Sequence, residues 1–176
     1  PDLLQRLELK GIPVISDRQG ELLQRPVVKV LMAVLHLVAY PKSKFAAVSF
    51  VRSPILGLTD GQIHDIFTNH KIVEDWWSIL HDNTPSKRAQ NLVQHLSSLA
   101  KKGAIHQVLD AVLDHSDLLI TYPDDTSRQN AELWCGLVYN IGTEYGHEPT
   151  EIYSHLKSLQ GLANKGPQAI TIPSGG

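Results

Sequence analysis

The chain contains a single cysteine, Cys135, among its 176 residues. One thiol excludes an internal disulfide and a zinc site built from cysteines, and it favours a reducing compartment. No apolar run approaches the ~20 residues that span a bilayer, and the first residues lack the basic and apolar segments of a signal peptide. We therefore expect no membrane association. Because the chain opens with Pro1 and not with Met, we also expect it to be a piece of a longer polypeptide.

The sequence signatures of common catalytic and cofactor sites are missing as well. Neither G-x-x-x-x-G-K-[ST] nor G-x-G-x-x-G occurs, so no phosphate-binding loop is expected. No two of the histidines have the i, i+4 spacing that places two metal ligands on one helical face. The adjacent carboxylates Asp124 and Asp125 fit a helix N-cap better than a calcium loop, which needs further oxygens at regular spacing. We predict no catalytic residue and no metal ligand in this chain.

Charge is unevenly distributed although the net charge is only −2. Residues 1–56 contain eight Lys/Arg against four Asp/Glu, whereas residues 104–176 contain three against nine. Such asymmetry is typical of a protein with one anion-binding face. Ordinary drift of surface charge along the chain explains it equally well.

Apolar residues recur mostly at helical spacing. We predict helices over residues 2–10, 25–41, 43–52, 59–70, 72–82, 84–103, 105–114, 124–146 and 148–166, a turn at 17–21, and strands at 12–16 and 168–172. The fold class is therefore mainly α. Because one strand lies near each end, we expect a helical module inserted into an α/β domain, with a small α/β remnant formed by the two strands in one sheet.

Several side chains are expected inside. Helix 25–41 is apolar on most sides, which predicts a central core helix, and its His36 is expected to be a hydrogen-bonded core histidine. Ile72 is expected to face inward, and of Trp76 and Trp77 one is expected in the core and one half-exposed. In helix 124–146 we predict an inward stripe formed by Leu133, Leu137 and Ile141.

The stretch "RSPILGLTDGQI", residues 52–63, interrupts the helical pattern and restarts it. Thr59 and Gln62 fit the S/T-x-x-E/Q capping box that opens a helix. The stretch is either a plain linker or a loop that offers backbone N–H groups and the cation of Arg52 to an anion. Gly57 would permit close backbone approach.

Other basic residues extend this candidate anion-binding surface. Lys42 and Lys44 flank the preceding helix, and Lys87 and Arg88 open a segment, residues 84–103, that has four cations and no carboxylate. A solvated charged face is the alternative interpretation. The candidate anion-binding surface comprises Lys42, Lys44, Arg52, Gly57, Thr59, Lys87 and Arg88.

The order of these segments resembles a known family. "LLQRLELKGIPVISDRQGELLQRPVVKVLMAVLHLVAYPKSKFAAVSFVRSPILGLTDGQI", residues 3–63, resembles the UvrD/Rep superfamily 1 DNA helicases, especially the AddA/RecB-like helicase–nuclease branch. Residues 103–134 resemble the same branch more loosely. Thr171 and Ile172 resemble the entry to motif V, but Pro173 to Gly176 then depart from that motif.

The resemblance implies that residues 1–56 and 166–176 belong to a second RecA-like domain and residues 57–165 to its helical 2B insertion. It implies that the parent protein is bacterial and cytoplasmic, uses ATP and Mg²⁺, and acts on DNA in repair or recombination. Some members of the family also have exonuclease activity. The ATP-binding motifs fall outside this chain, so the segment alone would be inactive. The implied partners are single- or double-stranded DNA, the remaining helicase domains and an AddB/RecC-like subunit. The resemblance implies duplex-DNA contact at Arg52, Gly57 and Thr59. We therefore predict that the candidate anion-binding surface, with its four lysine and arginine residues outside this loop, is a nucleic-acid interface.

Two other functions remain open. A helical interaction module would dock a partner subunit through an apolar face, as the acidic second half allows. A stand-alone helical enzyme would need an acid, base or nucleophile that no cluster in the sequence supplies.

Overall fold

The computed structural model describes the backbone of residues 17–164 and the side chains of residues 19–162. Within these residues there are helices and no strand. The helices are α1 (Asp17–Gln24), α2 (Pro26–Ala39), α3 (Lys44–Arg52), α4 (Asp60–Asn69), α5 (Trp76–Asn83), α6 (Lys87–Lys101), α7 (Ile105–His115), α8 (Leu118–Thr121), α9 (Asp125–Tyr145) and α10 (Pro149–Asn164). The mainly α fold class is therefore confirmed for this part of the chain.

Helix α2 lies at the centre. Pro26 occupies its first turn, where a missing N–H costs no hydrogen bond. Nine of its fourteen side chains are buried, and it packs against α1, α3, α7, α9 and α10. The prediction of a central core helix is confirmed, because a helix that is apolar on most sides is stable in water only when neighbours cover most of its surface.

Six of the other helices form two groups. Helices α5 and α6 form an antiparallel pair, which α7 extends, while α1, α9 and α10 pack on one another and on α2. Side chains of Ser43, Thr59, Asp75, Ser86 and Asp124 each accept a first-turn backbone N–H and thereby define where five helices begin. The N-cap role predicted for the adjacent carboxylates Asp124 and Asp125 is thus confirmed at Asp124.

The predicted turn at 17–21 is wrong, because these residues begin α1. Leu22 and Leu23 are buried, and α1 packs against α2 and α10. Tertiary burial of these leucines therefore outweighs the turn preference of "DRQG".

Two predictions about the aromatic segment before α5 are also wrong. Ile72 is 96% exposed and lies before the helix, which begins only at Trp76 behind the Asp75 cap. Trp76 and Trp77 are both 1% exposed, Trp76 against Phe67 and Trp77 against Phe50. Successive helical residues point about 100° apart, so both rings are buried only because neighbours cover two sides of α5.

The inward stripe of α9 is rotated relative to the prediction. The prediction is confirmed at Ile141, which is buried with Ala131, Trp134 and Val138. It is wrong at Leu133, which is 60% exposed. The large indole of Trp134 removes more apolar surface from water than a leucine side chain, so the helix turns that side toward the core. Leu133 and Leu137 instead line a surface groove between α1 and α9.

Some predictions lie outside the described residues. These are the helix at 2–10 and the strands at 12–16 and 168–172, so the α/β remnant stays a prediction. The division into 1–56 with 166–176 and 57–165 stays a prediction too. None of the helices that the structure describes is long and apolar enough to cross a membrane.

Candidate nucleic-acid interface

A groove between α3 and α4 brings together part of the predicted interface. Lys44, Val48 and Arg52 lie at i, i+4 and i+8 on one side of α3 and form one wall. Ile63 and Phe67 are among the α4 residues that form the other. The two α3 cations are about 12 Å apart along the helix axis, which matches the rise of three to four base steps on one strand, about 3.4 Å each.

The loop that joins α3 to α4 places a capped helix start beside Arg52. Gly57 has φ +64°, the left-handed region that glycine adopts without steric cost. Thr59 Oγ1 accepts the Gln62 N–H at 3.2 Å, and Gln62 Oε1 accepts the Thr59 N–H at 2.9 Å. The predicted capping box is confirmed. It satisfies the Thr59 and Gln62 amides and leaves those of Asp60 and Gly61 for an outside acceptor.

The charge in this groove is positive but not purely so. Lys44 and Arg52 are exposed, and the Asp60 carboxylate lies in the same groove. Asp60 is in the first turn of α4, where the helix dipole stabilises a negative charge. A strand that lies along the groove therefore meets two separate cations and one competing anion, an arrangement suited to weak and salt-sensitive contact.

Lys42 lies in the turn between α2 and α3. Its Nζ is 3.5 Å from Glu74 Oε2, with both side chains largely exposed. The Trp76 N–H donates to the Pro41 carbonyl at 2.9 Å, which fixes the start of α5 against this turn. Lys42 is thus close in sequence to Lys44 but is partly neutralised.

Lys87 and Arg88 lie in the first turn of α6, away from the α3–α4 loop in the chain. Arg88 Nη2 donates to Asp117 Oδ1 at 2.8 Å and ties α6 to the cap of α8. Lys101, at the other end of α6, is 3.6 Å from Asp75 and about 21 Å along the axis from Lys87. The cations of α6 thus lie at its two ends and form no single patch. Contact between the seven predicted residues and nucleic acid stays a prediction.

The described groups whose pKa values are shifted lie outside this groove, and His36, His106 and Cys135 are three of them. Burial, and next the Lys157 ammonium, lower the pKa of His36. Burial, and next His147, lower the pKa of His106, while Asp110 opposes them. Burial raises the pKa of Cys135, on α9, to about 11, with Asp110 and Glu132 adding to the shift.

Binding of ATP and Mg²⁺ outside this chain stays a prediction. The residues that the structure describes contain no group of three His, Cys, Asp or Glu side chains able to hold a metal ion. The sequence has no phosphate-binding loop either.

Sequence reasoning missed the aromatic side chains next to the groove. His36 is half-buried and stacks on Tyr153 instead of lying in the core. Phe45 is 74% exposed although it follows Lys44 directly. The sequence does contain a signal for the exposure of Phe45. Ala46, Ala47 and Phe50 form the buried side of α3, and Phe45 lies outside that side.

Comparison with known proteins gives a short match to one component of a helicase–nuclease. The chain is 30% identical over 63 residues to an ATP-dependent helicase/nuclease subunit of Bacillus cereus strain B4264, and likewise to the same protein of Bacillus cereus strain ATCC 14579. The match includes 36% of this chain and 5% of each relative, so the chain corresponds to a small part of their length. The similarity supports a helicase-family relationship. No protein-family model and no solved structure matches the chain.

Proposed function

We propose that this chain is a non-catalytic part of an ATP-dependent DNA helicase or helicase–nuclease that acts in DNA repair or recombination. Its role is to contact duplex DNA or to regulate the motor. The observation that carries the proposal is the groove between α3 and α4, which Lys44 and Arg52 line together with Asp60 in the first turn of α4. The similarity to a helicase/nuclease subunit supports the same assignment.

The proposal assigns nucleotide chemistry to other parts of a longer protein. ATP and Mg²⁺ would bind there, and the remaining helicase domains would be permanent partners of this chain. Residues 1–56 and 166–176 would belong to the second RecA-like domain, and residues 57–165 to the 2B-like insertion. The expected location is the bacterial cytoplasm.

Duplex binding tests the role of the groove. The 176-residue chain is titrated into a fluorescein-labelled duplex of about 20 base pairs, with fluorescence anisotropy measured between about 20 and 200 mM salt. We expect weak, sequence-independent binding. Two phosphate contacts predict a slope of about −2 when the logarithm of the binding constant is plotted against the logarithm of the salt concentration.

A double charge reversal identifies the contacts. Lys44→Glu with Arg52→Glu should abolish most binding at low salt, because the groove then repels phosphate. Lys29→Glu, on the exposed side of α2, is the control and should retain binding. If the double variant binds duplex as tightly as the unmodified chain, the groove is not the contact.

A second candidate is a module that docks a partner subunit. The groove between α1 and α9 favours it, because Leu133 is 60% exposed there beside Leu22 and Leu137. The expected partner is an AddB/RecC-like subunit. Pull-down of that subunit by this chain should be lost in Leu133→Asp and should persist in Lys87→Glu with Arg88→Glu. The opposite pattern would argue for a charged interface and against this candidate.

A further inference from the structure

The surface groove between α1 and α9 has an apolar part that is open to water. Leu22 on α1 and Leu133 and Leu137 on α9 supply it. Leu22 is buried and Leu137 is half-buried, whereas Leu133 is 60% exposed. The α9 wall extends from Gln129 to Asn140, about 16 Å along the helix axis. Single exposed apolar side chains are ordinary, but leucines that line one groove leave a surface whose burial would be stabilising.

Residues 1–16 lead directly into α1, the helix that forms one wall of this groove. They lie outside the described residues, and α1 begins at Asp17. Their sequence predicts an amphipathic helix over residues 2–10, and its apolar side consists of Leu3, Leu4 and Leu7. The chain therefore has its own candidate for covering the groove.

The lengths of the two parts agree. Nine helical residues are about 13 Å long, which fits within the ~16 Å of the α9 wall. Residues 11–16 can reach about 20 Å when extended. The wall formed by α1 is about 12 Å long, so this linker is long enough for residues 2–10 to return alongside α1.

The predicted helix has charges of opposite sign on the two edges of its leucine side. At about 100° per residue, Arg6 and Lys10 lie on the edge next to Leu3. Glu8 lies on the other edge, next to Leu4. A groove that accepts this helix should therefore carry an anion on one wall and a cation on the other.

The groove has this distribution of charge. On its α9 wall lies the exposed carboxylate of Glu132, and at the end of α1 lies the exposed guanidinium of Arg25. Arg25 is also 4.0 Å from Glu21, but ion pairs between exposed side chains are weak, so Arg25 can exchange this partner for another carboxylate. Glu8 would meet Arg25 in the same orientation that brings Arg6 toward Glu132.

We propose that the α1–α9 groove is the docking site of residues 2–10 of this chain, with their leucine side packed on Leu133 and Leu137. The covalent link favours this occupant over a second copy or a separate subunit. A segment joined by a short linker has an effective concentration on the order of millimolar. The inference goes beyond the proposed function, because a partner subunit would reach the groove only after residues 2–10 leave it.

Thiol labelling measures whether the groove is covered. Leu133→Cys is made in the 176-residue chain together with Cys135→Ser, so that the introduced thiol is the only one. Its rate of reaction with maleimide is compared with and without Leu4→Asp plus Leu7→Asp. We expect these aspartates to speed the reaction at least about fivefold, because a segment that no longer docks leaves the thiol open. Equal rates overturn the proposal.

Tyr139→Cys with Cys135→Ser is the matched control. Tyr139 lies on the same helix, is 57% exposed and lies outside the groove. Its labelling rate should be the same with and without the two aspartates. A faster reaction at both positions would mean that the aspartates loosen α9 as a whole, and it would overturn the proposal.

Paramagnetic relaxation provides a readout that keeps the leucines intact. A nitroxide is attached at Gln5→Cys in the Cys135→Ser chain, on the side of the predicted helix opposite its leucines. We expect it to broaden the methyl signals of Leu133 and Leu137 more strongly than those of Val93 on α6, which packs on α5 and α7. Equal broadening at all three residues contradicts docking in the groove.

A mixed sample identifies a second copy as the occupant. Isotope-labelled chain without the nitroxide is combined with unlabelled chain that carries it. We expect no broadening at Leu133 in this mixture, because each chain fills its own groove. Broadening there would show that the segment comes from another molecule, and it would overturn the proposal.

The other end of the chain is tested in the same way. Ile170→Asp with Ile172→Asp should leave the labelling rate of Leu133→Cys unchanged. If these substitutions speed the reaction and Leu4→Asp with Leu7→Asp does not, residues 165–176 cover the groove and the proposal is wrong.

These outcomes are independent of the proposed function, because Lys44 and Arg52 line a different groove. Equal labelling rates overturn the docking of residues 2–10 alone, and duplex binding that Lys44→Glu with Arg52→Glu abolishes would leave the proposed function standing. Docking without any duplex binding at low salt would contradict the proposed duplex contact and support this inference.

Discussion

Gly57 shows how one backbone angle limits substitution in the loop beside the candidate interface. Its φ of +64° lies in the left-handed region, and a Cβ added there would meet no atom within 4 Å. The obstacle to a side chain is therefore conformational and not steric crowding by neighbours. A left-handed conformation costs a non-glycine residue about 1–2 kcal/mol.

Gly57→Ala should therefore lower the free energy of unfolding by about 1 kcal/mol. Gly136→Ala is the matched control, because Gly136 lies inside α9 with equally open space around it. There alanine should raise stability by up to about 1 kcal/mol through helix propensity. Urea titration followed by circular dichroism measures both. A change of the same sign in the two variants would contradict this account.

His36 gives the pH dependence of stability a direction. Its pKa is lowered by burial and by Lys157, so below about pH 6.5, the ordinary histidine value, the unfolded chain binds more protons than the folded chain. The free energy of unfolding should therefore fall as the pH drops from about 6.5 toward the lowered native pKa, and this contribution should be constant above that window. His106 acts in the same direction.

Urea titrations at about pH 7.5 and about pH 5.5, on either side of the ordinary histidine pKa, measure this loss. His36→Phe keeps a flat ring against Tyr153 and removes the titrating group, so its stability should fall less between the two pH values. An equal fall in the variant and the unmodified chain would show that His36 does not contribute.

At the scale of one element, α4 depends on its reciprocal cap. Thr59→Ala removes the hydroxyl that accepts the Gln62 N–H and should lower the free energy of unfolding by about 1 kcal/mol. Thr59→Ser keeps the acceptor and should be close to neutral. Thermal unfolding by circular dichroism distinguishes them. Equal losses in both variants would mean that the methyl group and not the hydroxyl matters.

Helix positions followed from local chemistry, whereas helix orientation did not. Thr59 and Asp124 marked helix starts because the capping residue lies within three residues of the amide that it accepts from. The inward stripe of α9 was right at Ile141 and wrong at Leu133, because several stripes are apolar and the choice depends on which neighbours lie opposite Trp134. The turn expected at Asp17 failed for the same reason, since α2 and α10 decide whether Leu23 is buried.

Across the whole molecule, stability is concentrated around α2. Leu35 is 1% exposed, and Leu35→Ala should cost about 2–5 kcal/mol through lost burial and the cavity left behind. Leu133→Ala, at 60% exposure, should change stability by no more than about 0.5 kcal/mol. Equilibrium urea unfolding measures both variants. Similar losses at the two positions would contradict the assignment of α2 to the centre of the core.

The candidate site was predictable in part. Arg52, Gly57 and Thr59 are close in the sequence, so their proximity required only the loop signal. Two other features depend on how separate helices pack. One is the groove that Lys44 shares with α4, and the other is the Arg88–Asp117 ion pair. The meeting of Tyr153 with His36 joins residues more than a hundred positions apart, and no local pattern encodes such a contact.

The reactivity of the half-buried Cys135 thiol can report when α9 separates from its neighbours. With a pKa of about 11, on the order of one Cys135 in ten thousand is the reactive thiolate at neutral pH. Maleimide should therefore modify Cys135 slowly in the folded chain and faster whenever α9 separates from its neighbours. An Ile72→Cys variant, at a position 96% exposed, would react with a maleimide dye first, so the slower second alkylation would report separation of α9 on molecules that already carry a dye.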